Sequence, residues 1–181
     1  MKIGILNLQG AVSEHQAMLQ QLSVETTLIK NPSDLAGIDG LVLPGGESTV
    51  MRKLLVQNHL FAPLKELIQA GLPTFGTCAG MALLSLPESF NMIDGVVVRN
   101  GFGRQKQSCE ELINVTGLDA PFNAVFIRAP YLESVNDDVE VLATTDDKIV
   151  AARKNSVLVT AFHPELTNDT RMHEMFLKMV K

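Results

Sequence analysis

The sequence predicts an α/β protein. It reads as one three-layer domain over residues 1–181, with a mixed, mostly parallel sheet flanked by helices and extended by antiparallel strands. Two observations predict this. The first half alternates short apolar runs with helix-forming segments, the pattern of a parallel sheet covered on both faces. The second half changes to closely spaced strand-like segments with short turns, which suits antiparallel additions.

In chain order, Lys2–Leu8 is an Ile- and Leu-rich run that reads as a buried strand, and Ser13–Leu22 follows with helical character. Val24–Ile29 is a strand, and so is Gly40–Leu43, stopped by Pro-Gly-Gly. Ser48–Asn58 and Phe61–Ala70 are helical, with Pro63 near the second start, where proline is tolerated. Pro73–Thr77 is a strand and Ala79–Leu84 a helix. The strand-like segments Gly95–Arg99, Glu111–Val115, Ala124–Ile127, Val139–Thr145, Lys148–Lys154 and Ser156–Phe162 follow. Asp169–Val180 closes the chain as a helix with Asp169 as its N-cap.

A chain of 181 residues is long enough for a full core. Its net charge of −5, without a basic run, argues against nucleic acid as a partner. No apolar run is long enough to cross a membrane, and MKIGILNL reads as a strand rather than an export signal. Two cysteines, Cys78 and Cys109, make no disulfide framework and suggest reduced thiols in a cytosol. No His/Cys spacing suggests a metal site.

Gly76-Thr77-Cys78-Ala79-Gly80 falls where a strand turns into a helix. Flanking glycines let such a turn close, and the middle residue then projects into solvent at the sheet edge, as in a nucleophile elbow. The start of a helix favours a thiolate, and ligands of open parallel sheets bind beyond this edge. Cys109 has no such context. A cysteine nucleophile needs a base. Of the four histidines, His15, His59 and His173 read as solvated helix or junction residues. His163 ends an apolar run and is followed by Pro164 and Glu165. Proline biases His163 toward an extended conformation, in which Glu165 lies on the same side and can orient the imidazole. Two oxyanion donors suggest themselves: the N–H of Ala79 and one from the turn Pro44-Gly45-Gly46-Glu47-Ser48.

These features together resemble class I glutamine amidotransferases, in which the cysteine precedes a His-x-Glu pair. NLQGAVSEH, LVLPGGEST, FGTCAG, RNGFGRQ, VFIRAP, IVAAR and FHPELT, in this order, resemble the glutaminase subunits of pyridoxal phosphate synthase complexes along essentially the whole chain. The resemblance implies Cys78 as nucleophile, His163 as base and Glu165 as its orienting acid. It implies an oxyanion site at Gly46 and Ala79, and glutamine contacts at Gly46, Glu47, Ser48, Arg99, Ile127 and Arg128. Arg99 or Arg128 would suit the α-carboxylate of glutamine and Glu47 its α-ammonium. It further implies a glutaminase that needs no metal or cofactor, activated by and feeding ammonia to a synthase subunit in a hetero-oligomer with many copies of each. Gln9-Gly10, at the same sheet edge, is expected to contact that synthase.

The chain departs from the family pattern in three places. Leu84–Asp94 is shorter, removing part of a surface loop near the site; Gly101 replaces a serine; and Tyr131 replaces a histidine after FIRAP.

Overall fold

The computed structural model describes residues 1–102 and 108–181. The Gly103-Arg104-Gln105 end of the RNGFGRQ segment lies outside them. Five parallel or parallel-paired strands form the core: β1 (Lys2–Leu6), β2 (Glu25–Ile29), β3 (Gly40–Leu43), β4 (Thr74–Thr77) and β11 (Val157–Thr160). They run in the spatial order β2-β1-β3-β4-β11, every neighbouring pair parallel. GLVL, TFGT and VLVT are buried at every position, as expected of strands covered on both faces.

The helices are α1 (Val12–Gln21), α2 (Ser48–Gln57), α3 (Phe61–Gln69), α4 (Ala79–Ser85) and α5 (Arg171–Leu177). Neighbouring residues of a strand point to opposite faces, and β4 shows which helices go where. Phe75 meets His15 of α1 edge-on and packs against His173 and Phe176 of α5. The next residue, Gly76, faces Leu84 and Gly80 of α4. The sheet is therefore sandwiched between α1 and α5 on one side and α4 on the other.

Beyond β11 the sheet turns antiparallel through β10 (Lys148–Lys154), β8 (Tyr131–Val135) and β5 (Gly95–Val98), with β9 (Glu140–Thr145) also paired to β10. β6 (Ser108–Ile113) and β7 (Phe122–Ile127) form a separate antiparallel ribbon. The expectation that both strands extend the main sheet is thus corrected. Phe122 and Phe126 of β7 pack on Phe162, so the ribbon is held by its aromatic face instead of by ladder hydrogen bonds to the main sheet.

Most element positions agree with the sequence within one to three residues. β8 was not anticipated: its YLESV run follows Pro130 and carries no strong β pattern, and it forms because β5 and β10 flank it. Asp169 is not the N-cap of α5, which is Thr170. Its carboxylate still accepts the Arg171 N–H at 3.1 Å, and also binds the Arg171 guanidinium. The shortened segment 84–94 folds back onto α4: Phe90 and Ile93 are fully buried, and Phe90 stacks on Phe61 at 5.1 Å. None of its residues is among those lining the cavity described below. The other two departures touch each other. A Cβ at Gly101 would overlap the Tyr131 ring. Among the described residues no helix is long and apolar enough to cross a membrane.

Candidate active site

β4 and β11 end in register, Thr77 opposite Thr160. The Cys78 N–H continues the ladder by donating to the Thr160 carbonyl at 2.8 Å. The chain then turns into α4 with Cys78 at φ 49° and ψ −105°. Such a backbone costs a non-glycine residue about 1–3 kcal/mol and persists only where its surroundings enforce it. The two glycines do that by steric permission. A Cβ on Gly76 would lie 2.7 Å from the Gly80 backbone, and one on Gly80 would overlap the Leu43 carbonyl. Cys78 is only 6% exposed. It therefore does not project into solvent, as the elbow reading expects, but lines a cavity of about 860 Å³. Its thiol approaches the Ile127 carbonyl at 3.8 Å.

His163 stands three residues beyond β11, at the same edge. Its N–H donates to the Val125 carbonyl of the ribbon at 2.8 Å. The imidazole Nδ1 is 2.6 Å from Glu165 Oε1. The pairing expected from sequence is present, but the backbone that makes it is different. His163 has φ −106° and ψ 87°, and Pro164–Leu166 forms a 3₁₀ turn instead of an extended segment. Proline at the first position of that turn has the φ it needs and lacks an N–H the turn would leave unpaired.

Burial opposes charge on His163, but its hydrogen bonds to Cys78 and Glu165, and their negative charges, outweigh that. Its pKa is pushed up to about 10. Burial likewise opposes charge on Glu165, yet His15 and His163 hold its carboxyl below the usual range. Imidazole and carboxylate thus favour a charged pair in which Nδ1–H donates to Glu165.

Sequence reasoning missed what lies behind Glu165. His15 and His173 are fully buried, not solvated. His15 Nε2 is 3.0 Å from Thr77 Oγ1 and 3.5 Å from Glu165 Oε2, and its Nδ1 is 2.9 Å from His173 Nε2. Burial lowers both histidine pKa values, that of His173 to about 3, so both rings are neutral at pH 7. A signal was available. His15 shares a helix face with Met18 and Leu19, and His173 with Phe176, at the three- and four-residue spacing of a buried stripe.

The PGGES turn forms the opposite wall. Gly45 packs so closely that a Cβ there would overlap His163 Cε1, and its carbonyl accepts the Ala11 N–H at 3.0 Å. The Glu47 N–H donates to Gln9 Oε1 at 2.8 Å, tying Gln9 to this turn. The N-cap of α2 is Glu47. Its two carboxylate oxygens accept from Thr49 and Val50 N–H at 3.0 and 2.8 Å. The Thr49 hydrogen bond leads in lowering its pKa. The carboxylate expected for an ammonium group is therefore already engaged in capping. Gly46, Ser48, Ala79, Arg99, Ile127 and Arg128 all line the cavity. Arg99 donates to Thr49 Oγ1 at 3.2 Å, and Arg128 follows Ile127 with φ 45°. Ala79 opens α4, and the first N–H of a helix has no partner within it.

A parallel sheet with a cysteine and a histidine–glutamate pair at neighbouring strand ends, facing a cavity rimmed by arginines, fits the architecture of a glutamine amidotransferase. A solved structure described as a glutamine amidotransferase superposes with a TM-score of 0.92 at 39% identity, covering 98% of each chain. The model of the SNO glutamine amidotransferase family matches residues 5–181, and the chain belongs to that family. A protein of Listeria welshimeri named pyridoxal 5'-phosphate synthase subunit PdxT is 54% identical, covering 99% of each chain. One of the same name from Thermosipho africanus is 50% identical over the full length of both.

Proposed function

We propose that this chain is the glutaminase subunit of a pyridoxal 5'-phosphate synthase, acting as one domain over residues 1–181. Cys78 passes its thiol proton to His163, and Sγ attacks the side-chain amide carbon of L-glutamine. The developing oxyanion is met by the N–H groups of Ala79 and Gly46. The His163 imidazolium gives its proton to the departing nitrogen, and ammonia leaves as the γ-glutamyl thioester forms. His163, now neutral, takes a proton from water, whose oxygen attacks the thioester. Glutamate departs and the thiol is regenerated. Glu165 keeps Nδ1 protonated throughout, so that Nε2 is the nitrogen that exchanges protons.

The hydrogen bond between His163 and Glu165, beside a cysteine held at positive φ, carries this reading. Arg99 and Arg128 line the cavity and are the cations offered to the α-carboxylate of glutamine, and Ile127 offers a carbonyl beside the thiol. The ammonia acceptor is the synthase subunit, in a hetero-oligomer of many copies of each. Near-complete alignment with relatives named for that synthase supports this partner. Gln9, bonded to the PGGES turn, is the residue through which docking would reach the oxyanion site.

The test is glutamate release from glutamine, with and without the synthase subunit, for wild type and Cys78→Ala. Partner-stimulated release that falls roughly a thousandfold or more in the variant is the expected result. Release indifferent to that synthase would assign the chain to a different ammonia acceptor.

A further inference from the structure

The two buried histidines behind Glu165 have no part in the chemistry above, yet they join three elements of the site. His15, from α1, meets Thr77, the residue before the nucleophile, and the triad carboxylate, and His173, from α5, meets His15. Glu165 Oε1 is taken by His163, whereas Oε2 is buried and makes no direct hydrogen bond among the described residues. A buried carboxylate oxygen without a donor is costly and free to rotate away. The N–H that can face it is on His15.

Tautomers follow from charge. A bare Nε2 on His15 would point its lone pair at an anionic oxygen 3.5 Å away, so Nε2 carries the proton. That N–H is hydrogen-bonded to Thr77 Oγ1 at 3.0 Å, with Glu165 Oε2 3.5 Å from the same nitrogen. His15 Nδ1 is then an acceptor, and the neighbour 2.9 Å away must donate, so His173 also carries its proton on Nε2. The nitrogen left over, His173 Nδ1, is buried without a partner. It is a bare acceptor, a lesser penalty than an orphaned N–H.

We propose that His15 is a positioning residue for the triad, its Nε2–H steering Glu165 Oε2 and Thr77 while His173 fixes its tautomer. This rests on the reading of Glu165 as the residue that orients His163. Held at Oε2, the carboxylate presents Oε1 to His163 in one rotamer and keeps the imidazole aimed at Cys78. Glutamine is bound by the opposite wall, so loss of His15 changes turnover and not substrate affinity.

The experiment has two parts. Long-range proton–nitrogen NMR spectra of the wild-type protein with labelled histidines should show His15 and His173 both as the Nε2–H tautomer. Glutaminase kinetics with the synthase subunit present should show kcat lowered about ten- to a hundredfold in His15→Leu, with KM within about twofold. His15→Gln, whose amide N–H reaches the Nε2 position, should recover most of the loss. His15 found as Nδ1–H overturns the proposal. So does wild-type kcat in His15→Leu, or equal impairment of the leucine and glutamine variants, which marks a packing role. Glu165→Gln is run alongside. If it is inactive while His15→Leu is not, the inference fails and the triad stands; if it is fully active, both fail. Should His15→Leu not fold, His173→Leu decides: lost tautomer order with lowered kcat supports the proposal, and wild-type kcat overturns it.

Discussion

At the floor of the cavity Cys78, His163 and Glu165 are 5–7% exposed, while at the rim Gly46, Glu47, Arg99, Ile127 and Arg128 all lie open. The floor hangs on strand ends in register and on hydrogen bonds among buried side chains. The rim comes from the turn after β3, the residue after β5 and the end of β7. Burial strengthens each charge interaction in the floor and fixes its geometry in advance of substrate. An open rim leaves its cations hydrated until a ligand replaces the water. On the proposed mechanism the buried floor holds the reacting groups and the open rim the recognition groups, so floor changes should register in kcat and rim changes in KM.

The sharpest way to break this division is at the contact between the two. Gly45 belongs to the rim turn but touches the floor, and a Cβ there would overlap the His163 ring. Gly45→Ala is expected to lower kcat about a hundredfold by displacing the imidazole, measured by steady-state glutamate release. A loss seen only in KM would mean that the floor is not rigid.

The pH dependence sharpens it next. The pKa of His163 is raised to about 10 from an ordinary value of 6.5, so its proton stays on through neutrality and leaves near pH 10. Hydrolysis needs that proton for departing ammonia and should fall above about pH 10. Alkylation of Cys78 by iodoacetamide needs only a thiolate and should not fall with it. A hydrolysis limb falling near pH 7 would show that the floor does not hold the imidazolium.

At the rim, Arg128→Ala and Arg99→Ala should each raise KM for glutamine about tenfold, the order expected for one charge-assisted hydrogen bond, with kcat within about threefold. Initial rates over a range of glutamine concentrations separate the two. The smallest effect lies outside both regions. Gly101→Ser pushes a side chain into Tyr131 and should cost about 1–2 kcal/mol of stability. Tyr131→His in the same chain should recover it, a non-additivity read from denaturant melts of the single and double variants.

Much of this was legible beforehand. GTCAG announced a strand-to-helix turn because glycine acts on its own residues' φ, ψ and immediate contacts, and His163-Pro164-Glu165 kept base and acid two residues apart. The details that failed are those another element supplies. The Glu47 carboxylate, expected to meet an ammonium group, is instead held by the Thr49 and Val50 N–H groups at the start of α2. The β6–β7 ribbon leaves the main sheet because its partner is an aromatic face from a distant strand end.

By itself the sequence determined the order of strands and helices apart from β8, the elbow cysteine, and a histidine and glutamate close enough to pair. All three depend on periodicity, glycine and proline acting within a few residues. Only the tertiary structure decided that His15 and His173 belong to the site. Their hydrogen bond joins residues 158 apart in the chain, and the bond from His15 to Thr77 spans 62. No local pattern encodes which buried groups from separate helices will meet across a sheet.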